Sequence, residues 1–211
     1  VKITGSKANC PFDIQVTAYH GADSSYARII GHHTNVVSLK KNDTVLLEVP
    51  FQDDVVQAPE NRKLLSVENI VKFADEVKIP DVQEVLQRQI DYNMAIAQAG
   101  MDGSYGATIG KILLKSYGNC IQNRAKAWAA AGSDARMCGC ELPVVINSGS
   151  GNQGMTSSIP VIVYAREMGM TQDALYRALV VSNLVTIHLK TGIGSLSAYC
   201  GATSAGCGAG A

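Results

Sequence analysis

The feature that most constrains the fold is a change in hydrophobic period near residue 55. Before it, apolar and polar residues alternate, which is the pattern of a half-buried strand. In one such stretch the apolar members are Phe12, Ile14, Val16 and Ala18. Residues 26–39 and 44–50 predict further strands, and a KKND turn joins the last two. The sequence therefore predicts a small antiparallel sheet over residues 1–55.

From Glu60 onward the apolar residues recur at helical spacing. The clearest such series is Val82, Leu86, Ile90, Met94 and Ala97. Asp81 with Glu84, just after Pro80, predicts a capping box at the start of that helix. Further helices are predicted over residues 106–131, 156–168, 172–189 and 195–211. Because they are rich in Ala, Gly and Ser, we expect them to pack closely. The predicted fold class is α+β, with a predominantly helical domain over residues 56–211.

Composition excludes several classes of function. The 211 residues include 18 basic and 18 acidic side chains scattered along the chain, so no basic stripe for nucleic acid or anionic membrane is expected. No apolar run has the length of a membrane span, and no secretory signal opens the sequence. A chain of this size has no need of disulfides, so we expect a cytoplasmic protein with reduced thiols. Cys10 and Cys120 are interpreted as small buried hydrophobes.

The sequence SGSGNQG, residues 148–154, predicts a loop that binds a small ligand. Three glycines in it can take positive φ and let a ligand approach the backbone: Gly149, Gly151 and Gly154. Four side chains add hydroxyl and amide groups: Ser148, Ser150, Asn152 and Gln153. The alternative is a loop that only joins two helices.

Four cysteines raise the question of a metal site. Cys138 and Cys140 lie beside the polar loop, and one C-x-C pair is a weak metal signal. Cys200 and Cys207 are separated by about two helical turns, a rise of about 10.5 Å. This exceeds the reach of a disulfide, whereas an iron–sulfur cluster could bridge it. Two core cysteines on one helix face explain the spacing equally well.

The sequence GHHTN offers polar groups at a join between two strands. Adjacent strand residues point to opposite faces, so only one of the two histidines can face a given site. Thr34 and Asn35 suit recognition of a carboxylate or an amino group, although turn capping explains them equally. His188 lies near a helix C-terminus, and Lys190 just beyond it either binds a carboxylate or caps the helix.

Residues 133–156, SDARMCGCELPVVINSGSGNQGMT, together with residues 191–211 and GHHTN, resemble the L-cysteine desulfidase family. That family is related to the alpha chain of iron–sulfur L-serine dehydratase. The resemblance covers the whole chain and is strongest from Ser133 to Cys207. Members of the family are about twice as long and carry an N-terminal Cys-Thr-Glu-Pro motif that this sequence lacks. We therefore expect a fragment of a longer member, incomplete at its C-terminus.

The resemblance implies a lyase that works without pyridoxal phosphate and converts L-cysteine and water to pyruvate, hydrogen sulfide and ammonia. It implies an oxygen-sensitive 4Fe–4S cluster with three cysteine ligands and one open iron that acts as a Lewis acid. The implied ligands are Cys140, Cys200 and Cys207, with Cys138 as the substitute for Cys140. The expected substrate-binding residues are Ser148, Ser150, Asn152, Gln153, His33, Thr34 and Asn35. The catalytic base is unassigned.

Three alternatives stay open. The same chemistry could act on L-serine, with hydroxide leaving. A non-catalytic binding module could have kept the fold and lost the cluster. Structural zinc through Cys138 and Cys140 lacks a second close pair and ranks last. The expected partner is a small amino-acid substrate, with no nucleic acid and no membrane. A homodimer is one of the assemblies that the sequence allows.

Overall fold

The chain forms two compact units in the computed structural model, which describes residues 2–6, 13–31, 35–50, 62–193 and 200–211. The first unit is Val1–Asn61 and the second is Arg62–Ala211. They are called the sheet unit and the helical unit below.

The sheet unit contains a five-stranded antiparallel meander in which neighbours in sequence are neighbours in space. Its strands are β1 Lys2–Ser6, β2 Asp13–His20, β3 Asp23–Ile30, β4 Val36–Lys41 and β5 Thr44–Glu48. The KKND turn joins β4 and β5 as predicted, with Asn42 at φ 51°. The side chain of Asn42 accepts a hydrogen bond from the Ser24 N–H at 2.6 Å, which fixes the turn against β3.

Burial in β2 departs from the predicted alternation. Ile14 is 38% exposed, whereas Asp13 beside it is buried. Arg28 on β3 donates from Nε and Nη2 to the two Asp13 carboxylate oxygens, at 3.0 and 2.6 Å. This bidentate pair satisfies the buried charge and lowers the pKa of Asp13. An alternating pattern does not predict the buried Asp13, because it assigns every carboxylate to the solvent-facing side of the strand.

The helical unit begins with a short 3-10 turn, Arg62–Leu64. Its helices, within the described residues, are α1 Val67–Glu76, α2 Ile79–Asp102, α3 Ile109–Tyr117, α4 Ile121–Met137, α5 Gly151–Glu167, α6 Gln172–Thr191 and α7 Gly201–Gly210. None of the described helices is long and apolar enough to cross a membrane. An antiparallel sheet followed by helices confirms the predicted α+β class.

The predicted apolar face of α2 is confirmed. Leu86 and Ile90 are buried in a cluster with α1, α5 and α6, and Met94 packs against it. The predicted capping box is wrong, because α2 begins at Ile79 with Pro80 in its first turn. Proline fits a helical first turn, where no intrahelical N–H is needed, so Asp81 lies inside the helix instead of capping it.

Three predicted helix boundaries are wrong. The single helix over residues 106–131 is two helices, because Gly118 at φ 80° ends α3. Cys120 is the residue before α4 and is exposed, so its interpretation as a buried hydrophobe is also wrong. The helix expected from residue 156 begins at Gly151. The last helix begins at Gly201, and residues 195–199 lie outside the described part of the chain.

Small residues let the helices approach at backbone distance, as predicted. A Cβ added to Gly100 on α2 would overlap the carbonyl of Ala131 on α4. One added to Gly110 on α3 would lie 2.5 Å from the carbonyl oxygen of Ala127. Helix α4 is therefore held between α2 and α3 by contacts that no larger residue permits.

Candidate functional site

The candidate site begins where α4 ends, at the C-x-C pair. Gly139 has φ 88°, and the Cys140 N–H donates to the Ala135 carbonyl at 2.9 Å, while the Cys138 N–H donates to Asp134 O at 3.0 Å. These are the features of a glycine C-cap. The spacing of this pair is thus explained by helix termination.

An extended segment, residues 141–146, runs from this cap to the polar loop. Asn93 on α2 is fully buried and binds the segment in both directions. Its Oδ1 accepts from the Val145 N–H at 2.8 Å, and its Nδ2 donates to Val145 O at 3.3 Å. The same Nδ2 donates to Ser158 Oγ on α5 at 2.9 Å. One amide therefore ties α2, the segment and α5 together.

The polar loop itself is a tight turn. Asn147 and Ser150 exchange two backbone hydrogen bonds of 3.1 Å. The two central residues, Ser148 and Gly149, have φ 49° and 86°, as a type I′ turn requires. Asn147 Nδ2 donates to Asn183 Oδ1 on α6 at 2.8 Å, which anchors the turn to the helical unit.

The remainder of SGSGNQG is the first turn of α5, with Ser150 as its N-cap. Of its three glycines only Gly149 has positive φ, so the expectation that Gly151 and Gly154 also adopt it is wrong. Those two glycines serve close packing instead. A Cβ on Gly151 would lie 2.7 Å from Val144 Cγ2, and one on Gly154 would overlap the Val145 carbonyl.

The first turn of α7 lies against the first turn of α5. A Cβ on Gly201 would overlap the amide of Gln153, with Oε1 at 2.7 Å. Gln153 is 8% exposed, and its Oε1 has no hydrogen-bond partner among the described residues. Farther along α7, a Cβ on Gly208 would lie 2.5 Å from Ser182 O on α6. The structure thus brings Gln153 together with Gly201, the residue that follows Cys200.

Cys200 lies at the N-terminus of α7, in surroundings that favour its thiolate. Interactions with the backbone N–H of Thr203, and then with that of Ala202, lower the pKa of the Cys200 thiol. Lys190, in the last turn of α6, adds a favourable positive charge. Lys190 is only 3% exposed and has no carboxylate partner within the described residues.

The other predicted ligands do not join Cys200. Cys140 lies beside Tyr105 and raises the pKa of that phenol, and both pack on the apolar cluster between α2, α4 and α5. Cys138 faces Gly106, and Cys207 is exposed on α7. No group of three or more His, Cys, Asp and Glu side chains in the described residues could hold a metal ion. The three thiols therefore do not converge as expected, and their individual roles as ligands stay predictions.

Asn35 belongs to the sheet unit, where its side chain closes the connection between β3 and β4. Its Nδ2 donates to the Ile30 carbonyl at 3.0 Å, and the Ile30 N–H donates back to Asn35 O at 3.2 Å. The Asn35 side chain therefore caps a turn, as the alternative interpretation predicts. His33 and Thr34 lie outside the described residues.

One residue that sequence reasoning missed is Arg136, in the last turn of α4. Its Nη1 donates to Asn152 Oδ1 at 3.1 Å, and its Nε would lie 2.5 Å from a Cβ on Gly151. The guanidinium thus lies across the first turn of α5. A basic residue at a helix C-terminus is ordinary in sequence, because it complements the helix dipole, so no signal separated it from the common case.

A surface depression of about 560 Å³ on the outer face of α2 includes Gln83, Gln87 and Arg88 in its lining. None of the predicted site residues lines it. We therefore assign it no part in the site.

Comparison with known proteins gives the class. The sequence matches the family "Serine dehydratase alpha chain" over residues 18–211. It is 58% identical to a UPF0597 protein of Desulfitobacterium hafniense over 95% of this chain and 46% of that protein. It is 47% identical to a UPF0597 protein of Treponema denticola over 92% of this chain and 46% of that protein. No solved structure matches the chain.

The chain belongs to the serine dehydratase alpha chain family. It spans about half the length of the curated relatives it matches. The recognised resemblance is confirmed at the level of this family.

Proposed function

We propose that the helical unit contributes the amino-acid site of a lyase that removes the β-substituent of a small α-amino acid. The proposed substrate is L-cysteine, which with water gives pyruvate, hydrogen sulfide and ammonia. L-serine is the alternative, favoured by the name of the family that the chain matches. A cytoplasmic location stays a prediction from the cysteine composition.

One observation carries this proposal: the first turns of α5 and α7 meet where Gln153 adjoins Gly201. Two helix N-termini then present backbone N–H groups and positive dipole ends to one region, which suits a carboxylate. The Cys200 thiol precedes the first turn of α7, and the first-turn N–H groups together with the charge of Lys190 lower its pKa. Ser148, Ser150 and Asn152 would supply the remaining polar lining.

A 4Fe–4S cluster is proposed from the family resemblance alone. When bound, it would supply a Lewis-acidic iron. Cys140, Cys200 and Cys207 do not fit such a cluster as one group, because they do not converge in the described residues. We therefore derive no step through it. Among these thiols, Cys200 has the thiolate-favouring surroundings that a metal ligand needs.

The test uses the full-length protein, reconstituted anaerobically with iron and sulfide. Pyruvate, ammonia and sulfide are measured with L-cysteine and with L-serine as substrate. Equal amounts of pyruvate and sulfide from L-cysteine support the proposal, and pyruvate from L-serine alone supports the alternative. If neither amino acid gives pyruvate while iron and acid-labile sulfide are present, the lyase assignment is wrong.

The matched variants are Cys200→Ala and Cys120→Ala, since both thiols are exposed and precede a helix. Only Cys200 of the two precedes Gly201, which packs on Gln153, and experiences the positive charge of Lys190. We expect Cys200→Ala to abolish turnover and Cys120→Ala to leave it unchanged. Equal turnover in both variants would remove Cys200 from the site.

A further inference from the structure

The guanidinium of Arg136 carries a charge that the described residues do not neutralise. Its polar contacts are the amide oxygen of Asn152, at 3.1 Å from Nη1, and the sulfur of Met137, at 3.7 Å. No carboxylate of the described residues lies within 4.0 Å of it. On the same helix, Arg124 pairs with Glu167 at 2.6 Å. Arg136 is thus exposed to solvent, and within the described residues it contacts only neutral groups.

The element that faces Arg136 is also electropositive. Helix α5 begins at Gly151, and the backbone N–H groups of Gly151 and Asn152 have no acceptor among the described residues. The first-turn N–H groups and the aligned peptide dipoles of a helix favour an anion and disfavour a cation. An exposed cation that lies at this end of a helix therefore adds its own charge to a site that already favours an anion.

A second observation comes from the neighbouring residue of the same turn. Gln153 is 8% exposed, and its Oε1 has no donor within the described residues. A buried acceptor without a donor is unfavourable, and native structures seldom keep one without a reason. The amide lies at the junction of α5 and α7, beside Gly201. An ammonium group is a donor with no acceptor capacity, and so it matches this oxygen.

We propose that Arg136 binds the α-carboxylate of the substrate, together with the N–H groups of Gly151 and Asn152, and that Gln153 Oε1 accepts from the α-ammonium group. The inference rests on the proposed function and deepens it. Arg136 is then a specificity residue, because a free carboxylate is required for binding. Asn152 is a positioning residue that orients the guanidinium.

The experiment measures equilibrium binding to the full-length protein by isothermal titration calorimetry. The probes are L-alanine, which has both charged groups and no leaving group, L-alaninamide, which lacks the carboxylate, and propionate, which lacks the amine. Since a charge-assisted bidentate pair is worth about tenfold or more in affinity, wild type should bind L-alanine at least about tenfold more tightly than L-alaninamide.

Arg136→Gln should weaken L-alanine and propionate about tenfold and leave L-alaninamide unchanged. Gln153→Met, which keeps the length of the side chain, should weaken L-alanine and leave propionate unchanged. Arg124→Gln on the same helix is the matched control and should change none of the three. Circular dichroism of each variant establishes that it is folded.

The inference is overturned if Arg136→Gln binds L-alanine as wild type does, or if it weakens L-alaninamide and L-alanine equally. Because the probes do not react, this result is independent of turnover. Selective loss of carboxylate binding without pyruvate formation from either amino acid would leave the recognition site standing and refute the lyase. Turnover with a KM that Arg136→Gln leaves unchanged would support the lyase and refute the proposed recognition site.

Discussion

Replacing Asn93 with Ala tests whether the polar loop is held by buried hydrogen bonds. The Asn93 side chain is fully buried and joins Val145 in the extended segment to Ser158 on α5. Alanine removes both ends of this connection. It leaves the Val145 N–H without its acceptor at 2.8 Å.

The expected loss follows from these contacts. The two bonds shorter than 3 Å contribute about 1 kcal/mol each, and an orphaned, half-buried N–H costs about 1–2 kcal/mol more. Together they give a loss of about 3–4 kcal/mol in the free energy of unfolding. With a urea m-value of about 2 kcal/mol/M, the midpoint should fall by about 1.5–2 M.

Urea unfolding followed by far-ultraviolet circular dichroism measures this shift in the midpoint, because helices dominate the far-ultraviolet signal. Gln98→Ala is the control on the same helix. Its amide is exposed and bonds only Asp102 four residues on, so the expected loss is below about 0.5 kcal/mol. If Asn93→Ala and Gln98→Ala differ by less than about 1 kcal/mol, the network does not hold the loop and the reasoning fails.

Three further predictions follow from separate parts of the molecule. Gly208→Ala should lower the melting temperature, because the new Cβ would lie 2.5 Å from a carbonyl oxygen of α6. Gly210→Ala is the control, since no atom lies within 4 Å of its Cβ, and equal melting temperatures for the two variants would contradict this packing. Asn152→Ala should raise the KM by about fivefold at unchanged stability, since one hydrogen bond is lost, and an unchanged KM would favour a loop without a binding role. The sheet unit should lose stability as the pH falls below about 4, because Arg28 lowers the pKa of Asp13 in the folded state. The ionised Asp13 side chain stabilises the fold above its unfolded-state pKa, and this stabilisation is lost as the pH falls through the lower, folded-state pKa. Asp13→Asn should flatten that pH dependence of urea unfolding, and a dependence that persists would exclude the Asp13–Arg28 pair as its cause.

The sequence predicted the elements whose burial follows a regular period. The apolar series on α2 is an example, since its spacing alone selects the face that becomes buried. Where a boundary depends on one backbone angle, the pattern was misleading. Gly118 divides the predicted helix over residues 106–131, although its neighbours continue the helical composition. Gly139 likewise ends α4 between two cysteines that suggested a metal.

The site was predictable only in part, because its residues meet through tertiary contacts. The polar loop was identified from its composition, but the contact between Gln153 and Gly201 depends on how α5 and α7 pack. Nothing in the local sequence of Arg136 distinguishes it from a basic residue that ends a helix. Arg136 is of interest because it contacts the first turn of α5. In the sequence that turn is separated from Arg136 by an extended segment and a type I′ turn.

The glycines of SGSGNQG explain why binding and packing cannot be separated in this loop. Gly149 supplies the positive φ of the turn, whereas Gly154 allows the backbone of α5 to contact the carbonyl of Val145. That same residue, Val145, is the one held by Asn93. Backbone contacts and a buried amide therefore help to set the direction of the first turn of α5. Since Gly201 allows an equally close approach to Gln153, the N-terminus of α7 is also positioned by close packing, which favours preorganised recognition of a small charged molecule.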